Sequence, residues 1–254
     1  MNVKPLILVT NDDGIFAPGI QALVAVARKI GEVVIVAPDS PQSAKGHALT
    51  INDPIFLKKV DKFDGLEAYE CSGTPVDCVK LAKDHVVGDR TIDLCVSGVN
   101  HGSNASINIL YSGTVSAAME ASLDGINAIG FSLLDFSFQA DFEPAKPFME
   151  QIIRTALEKG LGDCHLLNVN IPVGNDIKGT KICRQAKAQW VEKYQQNEDP
   201  RGRKYFWLTG DFINEDKGED TDLWALKNNY ISIVPSMHDL TAYKAIGQLG
   251  HFEK

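Results

Sequence analysis

Apolar residues along the chain follow two alternating patterns, one typical of strands and one typical of helices. Nearly continuous apolar runs predict strands covered on both faces, at residues 6–10, 33–37, 94–97, 128–132 and 166–171. Longer stretches with apolar residues at helical spacing predict helices at residues 19–30, 75–86, 112–124 and 143–159. Strands alternating with helices are typical of βαβ units. We therefore expect an α/β fold with a Rossmann-like, doubly wound and mostly parallel sheet.

The second half of the chain contains a segment that departs from this alternation. Aromatic residues flank a polar stretch whose residues 199–202, Asp-Pro-Arg-Gly, have the composition of a turn. This pattern predicts an extended β-hairpin arm, and the acidic run at 214–222 is expected to be a solvated loop. A strand at 230–234 and a helix near 240–249 are predicted to follow. The expected parts are an α/β catalytic core (1–188), the arm (189–222) and a C-terminal strand and helix (223–254).

Composition narrows the class of protein. Of the 254 residues, 44% are hydrophobic and 23% are charged, as in ordinary globular proteins. The net charge of −8 disfavours long nucleic acids as partners. An export signal and an apolar run of about 18 residues are both missing from the sequence, so we expect a cytoplasmic protein without a membrane partner. The five cysteines lack C-x-x-C spacing, which argues against a zinc site or a disulfide framework.

Polar side chains follow the first three predicted strands, in what we call the rim loops (residues 11–14, 38–47 and 98–104). They include Asp12 and Asp13, then Ser43, then Asn100. In an open parallel sheet, ligands bind outside the carboxyl ends of the strands. Two carboxylates, a hydroxyl and an amide oxygen are hard donors that suit Mg²⁺ or Mn²⁺. A plain acidic turn is the alternative, but two charges at the end of a buried strand favour a ligand site.

Two further segments resemble anion-binding helix starts. Residues 72–75 precede a helix with Pro at its first position, which we interpret as an ordinary helix start. Residues 112–114, Ser-Gly-Thr, fit a helix cap and a phosphate site equally well. His47 and His101 lie in rim loops and can protonate a leaving group, although a solvated histidine is the simpler interpretation. The arm aromatics can stack on a base, but such residues more often pack on the body or on a neighbouring subunit.

At these residues the sequence resembles the survival protein SurE family of nucleotidases. The similarity extends over nearly the whole chain and is carried by co-linear segments at residues 7–15, 37–39, 43–47, 72–79, 97–104, 111–118, 168–172 and 229–235. Two departures are visible. Asn229 stands where glycine is usual, and His101 stands where arginine or asparagine is common, which leaves the substrate preference open.

The resemblance implies a phosphatase acting on nucleoside 5′- or 3′-monophosphates, and on short polyphosphate, with one divalent metal ion per subunit (Mg²⁺, Mn²⁺ or Co²⁺). It implies Asp12, Asp13, Ser43 and Asn100 as metal ligands, the first two also being catalytic. The expected phosphate and substrate residues are Asn11, Gly46, His47, Asn104, Ser112, Gly113 and Thr114. A homodimer or homotetramer is implied, with the arm and an exchanged C-terminal segment serving assembly.

Other protein classes fit less well. Receiver domains, haloacid-dehalogenase-type phosphatases, nicotinamide dehydrogenases and P-loop NTPases each need a motif that this sequence lacks. The remaining alternative is a catalytically weak nucleotide-sensing module that uses the same metal site. For the enzyme, we favour direct attack by water, because both aspartates are committed to the cation and an aspartyl nucleophile needs a free, in-line oxygen.

Overall fold

The computed structural model describes residues 4–137 and 139–253, and its centre is a nine-stranded sheet. The strands of this sheet are β1 (Leu6–Thr10), β2 (Glu32–Pro38), β3 (Leu57–Lys59), β4 (Glu67–Cys71), β5 (Leu94–His101), β6 (Ala128–Leu133), β7 (Leu166–Ile171), β8 (Thr180–Ile182) and β11 (Ile231–Ser236). Their order is β3-β4-β2-β1-β5-β6-β7-β11-β8. Pairing is parallel except between β3 and β4 and between β7 and β11, which confirms the mostly parallel sheet.

Helices cover both faces of the sheet. They are α1 (Pro18–Ala27), α2 (Pro75–Leu81), α3 (Gly113–Leu123), α4 (Lys146–Lys159) and α5 (Asp222–Lys227), whereas the short α6 (Tyr243–Ile246) has no buried residue. Residues of α1 and α4, such as Leu23 and Met149, enter one apolar core, while α2 and α3 contribute Val79 and Val115 to the core on the opposite face. Burying one such large apolar side chain stabilises the fold by roughly 1.5–3 kcal/mol. The central strands are therefore buried on both sides, as predicted.

The boundaries differ from the predictions in several places. The third predicted strand does not end at residue 97 but continues to His101, with a register shift between Ser97 and Asn100, so Asn100 lies at the end of the strand rather than beyond it. Strands β3, β4 and β8 were not predicted, because they are short and lie at or next to the sheet edges, where the apolar pattern is weak. The predicted helix at 75–86 is α2 followed by a π-helical turn at Ala82–Val87. The predicted terminal helix at 240–249 contains the single turn of α6.

The predicted arm is a hairpin separate from the main sheet. Strands β9 (Ala188–Glu198) and β10 (Lys204–Asn214) are antiparallel over eleven residues each. The hairpin closes where the backbone of Asp199 donates to the carbonyl of Arg203 at 3.0 Å. It ends at Asn214, earlier than the predicted residue 222, because Asp216 and Asp220 bind Arg184 of the body. The prediction of a solvated loop at 214–222 is wrong for Asp222, which is 1% exposed.

The C-terminal part (residues 223–253) adds one strand to the sheet and then continues outside it. Strand β11 lies between β7 and β8 of the same chain, and the residues after it expose several large apolar side chains. Within residues 4–137 and 139–253, every helix is too short or too polar to cross a membrane.

Candidate metal and phosphate site

Asp12 is held in a buried position at the end of β1. Its Oδ1 accepts a hydrogen bond from the Thr114 hydroxyl on α3, and its carbonyl accepts from the backbone of Gln42 at 2.8 Å. A Cβ at Gly113 would lie 2.7 Å from the Asp12 Cβ, so glycine is required for this close approach of α3. Burial raises the pKa of Asp12 to about 6, although its bond to Thr114 opposes that change. The site therefore favours a cation beside this carboxylate.

Asp13 and Asn100 come together from neighbouring strands. The backbone of His101 donates to Asp13 Oδ2 at 3.3 Å, and burial raises the pKa of Asp13. Asn100 Nδ2 donates to the carbonyls of Gly102 at 2.8 Å and of His101 at 3.2 Å. Because both amide hydrogens are used within the loop, the Asn100 Oδ1 is left as the group that can bind a ligand.

The loop that carries Ser43 is fastened to α2 and α3. Thr74 donates its hydroxyl to the carbonyl of Ala48 at 2.7 Å, and the backbone of Thr50 donates to Asp77 at 3.1 Å. Thr74 and Asp77 also form a reciprocal capping box at the start of α2. The prediction that residues 72–75 begin a helix is confirmed, and that helix start also supports the loop of the proposed metal ligand Ser43.

His47 does not line the cleft that contains Asp12, Asp13, Ser43 and Asn100. Its Nε2 lies 2.7 Å from Oε2 of Glu120, a buried residue of α3 whose Oε1 also binds Lys80 at 2.5 Å. Neighbouring Gly46 is buried, and a Cβ there would lie 3.2 Å from the carbonyl of Leu110. Both predicted substrate residues therefore contact protein groups. Glu120 gave no signal in the sequence, because a helical glutamate is usually solvent-exposed.

The Ser-Gly-Thr segment begins α3 and faces the rim. Ser112 is the N-cap residue, and its Oγ accepts from the backbone of Val115 at 3.0 Å. Ser112 also lines a cleft at the rim, where a ligand can reach it. Thr114 uses its hydroxyl on Asp12 instead. The segment therefore acts as a helix cap and also fixes a candidate metal ligand.

A buried amide network supports the loop after β5. The backbone of Asn104 donates to Asn170 Oδ1 and its side-chain amide donates to Ser132 Oγ, both at 2.8 Å. Asn168 donates to the carbonyl of Asn104, also at 2.8 Å. Asn11 is likewise turned inward, with its amide bonded to the carbonyl of Gly14 at 2.9 Å. These asparagines fix the rim loops in place.

A cleft of about 730 Å³ joins the rim to the arm. Six predicted site residues line it: Asp12, Asp13, Ser43, Asn100, Asn104 and Ser112. The cleft is also lined by residues that the sequence did not indicate as one site: Tyr111, Phe136, Trp190, Glu192 and Leu208. His101 also lines the cleft, with its Nδ1 at 2.9 Å from the carbonyl of Ser137. A second cavity of about 620 Å³, between α4 and β11, contains none of the predicted site residues.

The donors at the rim fit a hard divalent cation. Asp12 is buried and its neighbour Asp13 is half-buried, and withdrawing two carboxylates from water is costly unless an opposite charge compensates them. A hydroxyl and an amide oxygen line the same cleft. Within residues 4–137 and 139–253, Asn11 Oδ1 and Thr10 Oγ1 are buried beside this site without a hydrogen-bond partner. The set consists of oxygen donors, which Mg²⁺ and Mn²⁺ prefer.

Comparison with known proteins identifies the family of the chain. The family model described as "Survival protein SurE" matches residues 7–192. A protein named 5′-nucleotidase SurE from Flavobacterium psychrophilum is 59% identical, and the match covers 98% of each chain. One of the same name from Bacteroides fragilis is 46% identical over 99% of each chain. The crystal structure of SurE from Aquifex aeolicus superposes with a TM-score of 0.86 at 38% identity, over 98% of this chain and 100% of that one. The chain belongs to the survival protein SurE family.

Proposed function

We propose that the chain is a metal-dependent 5′-nucleotidase that hydrolyses nucleoside monophosphates to nucleoside and phosphate. The observation that carries this proposal is the cleft in which two adjacent aspartates, Asp12 and Asp13, face the start of helix α3. Paired carboxylates with hard oxygen donors suit a divalent cation, and a helix start suits a phosphate. Relatives up to 59% identical over nearly the full chain are named 5′-nucleotidases. Nucleoside 3′-monophosphates and short polyphosphate are further proposed substrates.

Each rim residue has a proposed role. Asp12, Asp13, Ser43 and Asn100 would hold one divalent cation, which when bound supplies Lewis-acid charge to the phosphoryl oxygens. Ser112 and Gly113, at the positive end of α3, hold the phosphate. Thr114 orients Asp12 through its hydroxyl. Asn11, Gly46, His47 and Asn104 keep the loops around the phosphate in position through the contacts described above.

Water is the proposed attacking group. Thr114 holds one oxygen of Asp12 and the backbone of His101 holds one oxygen of Asp13. Carboxylates fixed in this way are positioned as ligands, whereas a nucleophile needs an oxygen in line with the leaving group. Hydrolysis of an isotopically chiral phosphate ester in labelled water should then invert the configuration at phosphorus. Net retention would mean two displacements through an aspartyl phosphate and would assign the nucleophile to an aspartate.

The cellular setting and assembly are also proposed. We infer a cytoplasmic homodimer or homotetramer that uses Mg²⁺, Mn²⁺ or Co²⁺, with the C-terminal segment exchanged between subunits. The support is the set of exposed apolar side chains on the arm and after β11, including Trp207 at 63% exposure and Leu240 at 87%. Apolar surface of this kind marks contacts between proteins.

A phosphate-release assay tests the function. Purified protein should release inorganic phosphate from a panel of nucleoside monophosphates when Mn²⁺, Mg²⁺ or Co²⁺ is present, and Asp12→Asn should serve as the inactive control. If the protein binds these nucleotides by calorimetry but releases phosphate no faster than the Asp12→Asn control, it is the nucleotide-sensing module instead.

A further inference from the structure

The proximal half of the arm (residues 188–194 and 208–214) forms one wall of the cleft that contains the candidate metal ligands. Trp190 and Glu192 lie two residues apart on β9, while Leu208 and Gly210 on β10 pair with Tyr194 and Glu192. Side chains alternate between the two faces of a strand. Trp190, Glu192, Leu208 and Gly210 therefore share one face of the hairpin, and all four line the cleft.

The base of the arm is firmly attached to the body. Trp190 Nε1 donates to Asn108 Oδ1 at 2.8 Å, and the Trp190 ring packs on Phe212 with 5.2 Å between centroids. Buried Asp222 accepts from the backbones of Ser106 at 2.7 Å and of Ala186 at 3.0 Å. Ser106 and Asn108 belong to the 3-10 helix that leads directly to Ser112. These contacts hold the arm wall at a fixed position relative to Ser112, where the phosphate is proposed to bind.

A second aromatic side chain lines the cleft from the loop after β6. Phe136 lines the cleft although 80% of its surface is exposed. It packs over the loop after β5, because a Cβ at Gly102 would lie 2.2 Å from its ring. Glycine at 102 therefore allows the ring to lie beside the loop that begins at Asn100. A large aromatic ring left in water at the edge of a polar site suits a flat apolar ligand group.

Glu192 adds a charge to the same cleft. Its carboxylate has no hydrogen-bond or ion-pair partner among the described residues, and its cross-strand neighbour Gly210 has no side chain to cover it. An ionised carboxylate accepts two hydrogen bonds side by side. Guanine offers two adjacent donors on one edge, the ring N–H and the amino group. Adenine and cytosine offer one amino group, and uracil offers one ring N–H.

We propose that Phe136, Trp190 and Leu208 form a subsite for the nucleobase, and that Glu192 selects bases with amino and ring N–H donors, guanine above all. This inference rests on the proposed nucleotidase function and adds the part of the substrate that is recognised. The stacking walls favour a purine over a pyrimidine because a purine has the larger ring surface. The expected order of kcat/KM is GMP, then AMP, then UMP.

Steady-state kinetics with GMP, AMP, UMP and ribose 5-phosphate test the subsite, since ribose 5-phosphate has no base. Trp190→Leu and Phe136→Ala should each raise KM for GMP about tenfold, the value of one lost stacking contact. Ribose 5-phosphate should be hydrolysed at an unchanged rate. Glu192→Gln should lower the GMP to UMP ratio of kcat/KM at least about fivefold, because the amide can accept only one of the two hydrogen bonds. Trp207→Ala, which removes an aromatic from the opposite face of the hairpin, is the matched control and should change neither value.

The outcomes separate the subsite from the function. If wild-type protein releases phosphate from none of the four substrates, the proposed function fails. If wild type is active but the Trp190 and Phe136 variants lose ribose 5-phosphate hydrolysis to the same extent, these residues only support the rim, and the subsite is refuted. An unchanged GMP to UMP ratio in Glu192→Gln refutes selection by the carboxylate. Because Phe136 is on the surface, its variant tests the wall even if Trp190→Leu fails to fold.

Discussion

The rim loops and the distal half of the arm differ in which side chains they expose to water. At the rim, Asp12 is buried and bonded to Thr114, and His47 binds the buried Glu120 of α3, which also binds Lys80. In the distal half of the arm (residues 195–207), Tyr205 and Phe206 remain 42% and 57% exposed. These contacts of the rim all lie within this chain.

The distal half of the arm instead leaves apolar side chains exposed to solvent. A two-stranded hairpin alone is marginally stable in water, and a large exposed apolar surface marks a contact site. The proximal half of the arm lines the cleft that contains the proposed site, and we expect its distal half to serve assembly. Changes to the rim and to the distal arm should therefore affect different properties, activity in one case and assembly in the other.

Removal of the metal should have the largest effect. Chelation is expected to abolish phosphate release, because the two carboxylates of the rim then repel a phosphate without compensation. Activity should return with Mn²⁺, Mg²⁺ or Co²⁺, since the donors are oxygens. Full activity in metal-free buffer would contradict the assignment of the rim as a metal site.

Loss of one aspartate charge should come next. Asp12→Asn or Asp13→Asn is expected to lower turnover at least about a hundredfold, as removal of charge at a phosphoryl centre does. Asp64→Asn, at an exposed surface site, is the matched control and should stay within about twofold. Thermal unfolding should accompany the kinetics, and a variant that folds and retains activity would remove its aspartate from the site.

The contact between Glu120 and the loop of Ser43 should have an intermediate effect. Glu120→Ala is expected to raise the Mn²⁺ concentration for half-maximal activity about tenfold, because outer contacts orient ligand loops. The free energy of unfolding should fall by only about 1 kcal/mol, since His47 and Lys80 can turn to solvent. Glu158→Ala on the exposed face of α4 is the control. An unchanged metal requirement would limit Glu120 to a structural role.

Removal of the distal arm should change activity least. Replacing residues 196–206 by Asn-Gly, which closes a two-residue hairpin, spares Trp190, Glu192 and Leu208. Sedimentation should show a smaller assembly, while kcat/KM for GMP should stay within about threefold of wild type, because the cleft wall is retained. An unchanged mass would show that the distal arm packs elsewhere, and a large loss of activity would place it in the cleft.

Much of the candidate site at the rim follows from local sequence. A nearly continuous apolar run is typical of a strand covered on both faces, and the polar residues that follow such strands meet at one edge of a parallel sheet. Asp12, Asp13, Ser43 and Asn100 could therefore be grouped from the sequence, and the fold brings all four to one cleft. The resemblance to the SurE family added the proposed substrate. It also rested on several motifs that occur in the same order along the chain.

The sequence by itself determined the parallel core, the hairpin and the cluster of oxygen donors, because each depends on periodicity or on the position of residues along one strand. Tertiary structure alone decided that Glu120 binds His47, that Asp222 is buried, and that Trp190 and Phe136 line one cleft. These contacts join residues far apart in the chain, such as Asp12 and Thr114, which are 102 positions apart. Hydropathy predicts the burial of apolar residues, but the partners of a buried polar residue are fixed by how helices and hairpin pack on the sheet, and no local pattern encodes that packing.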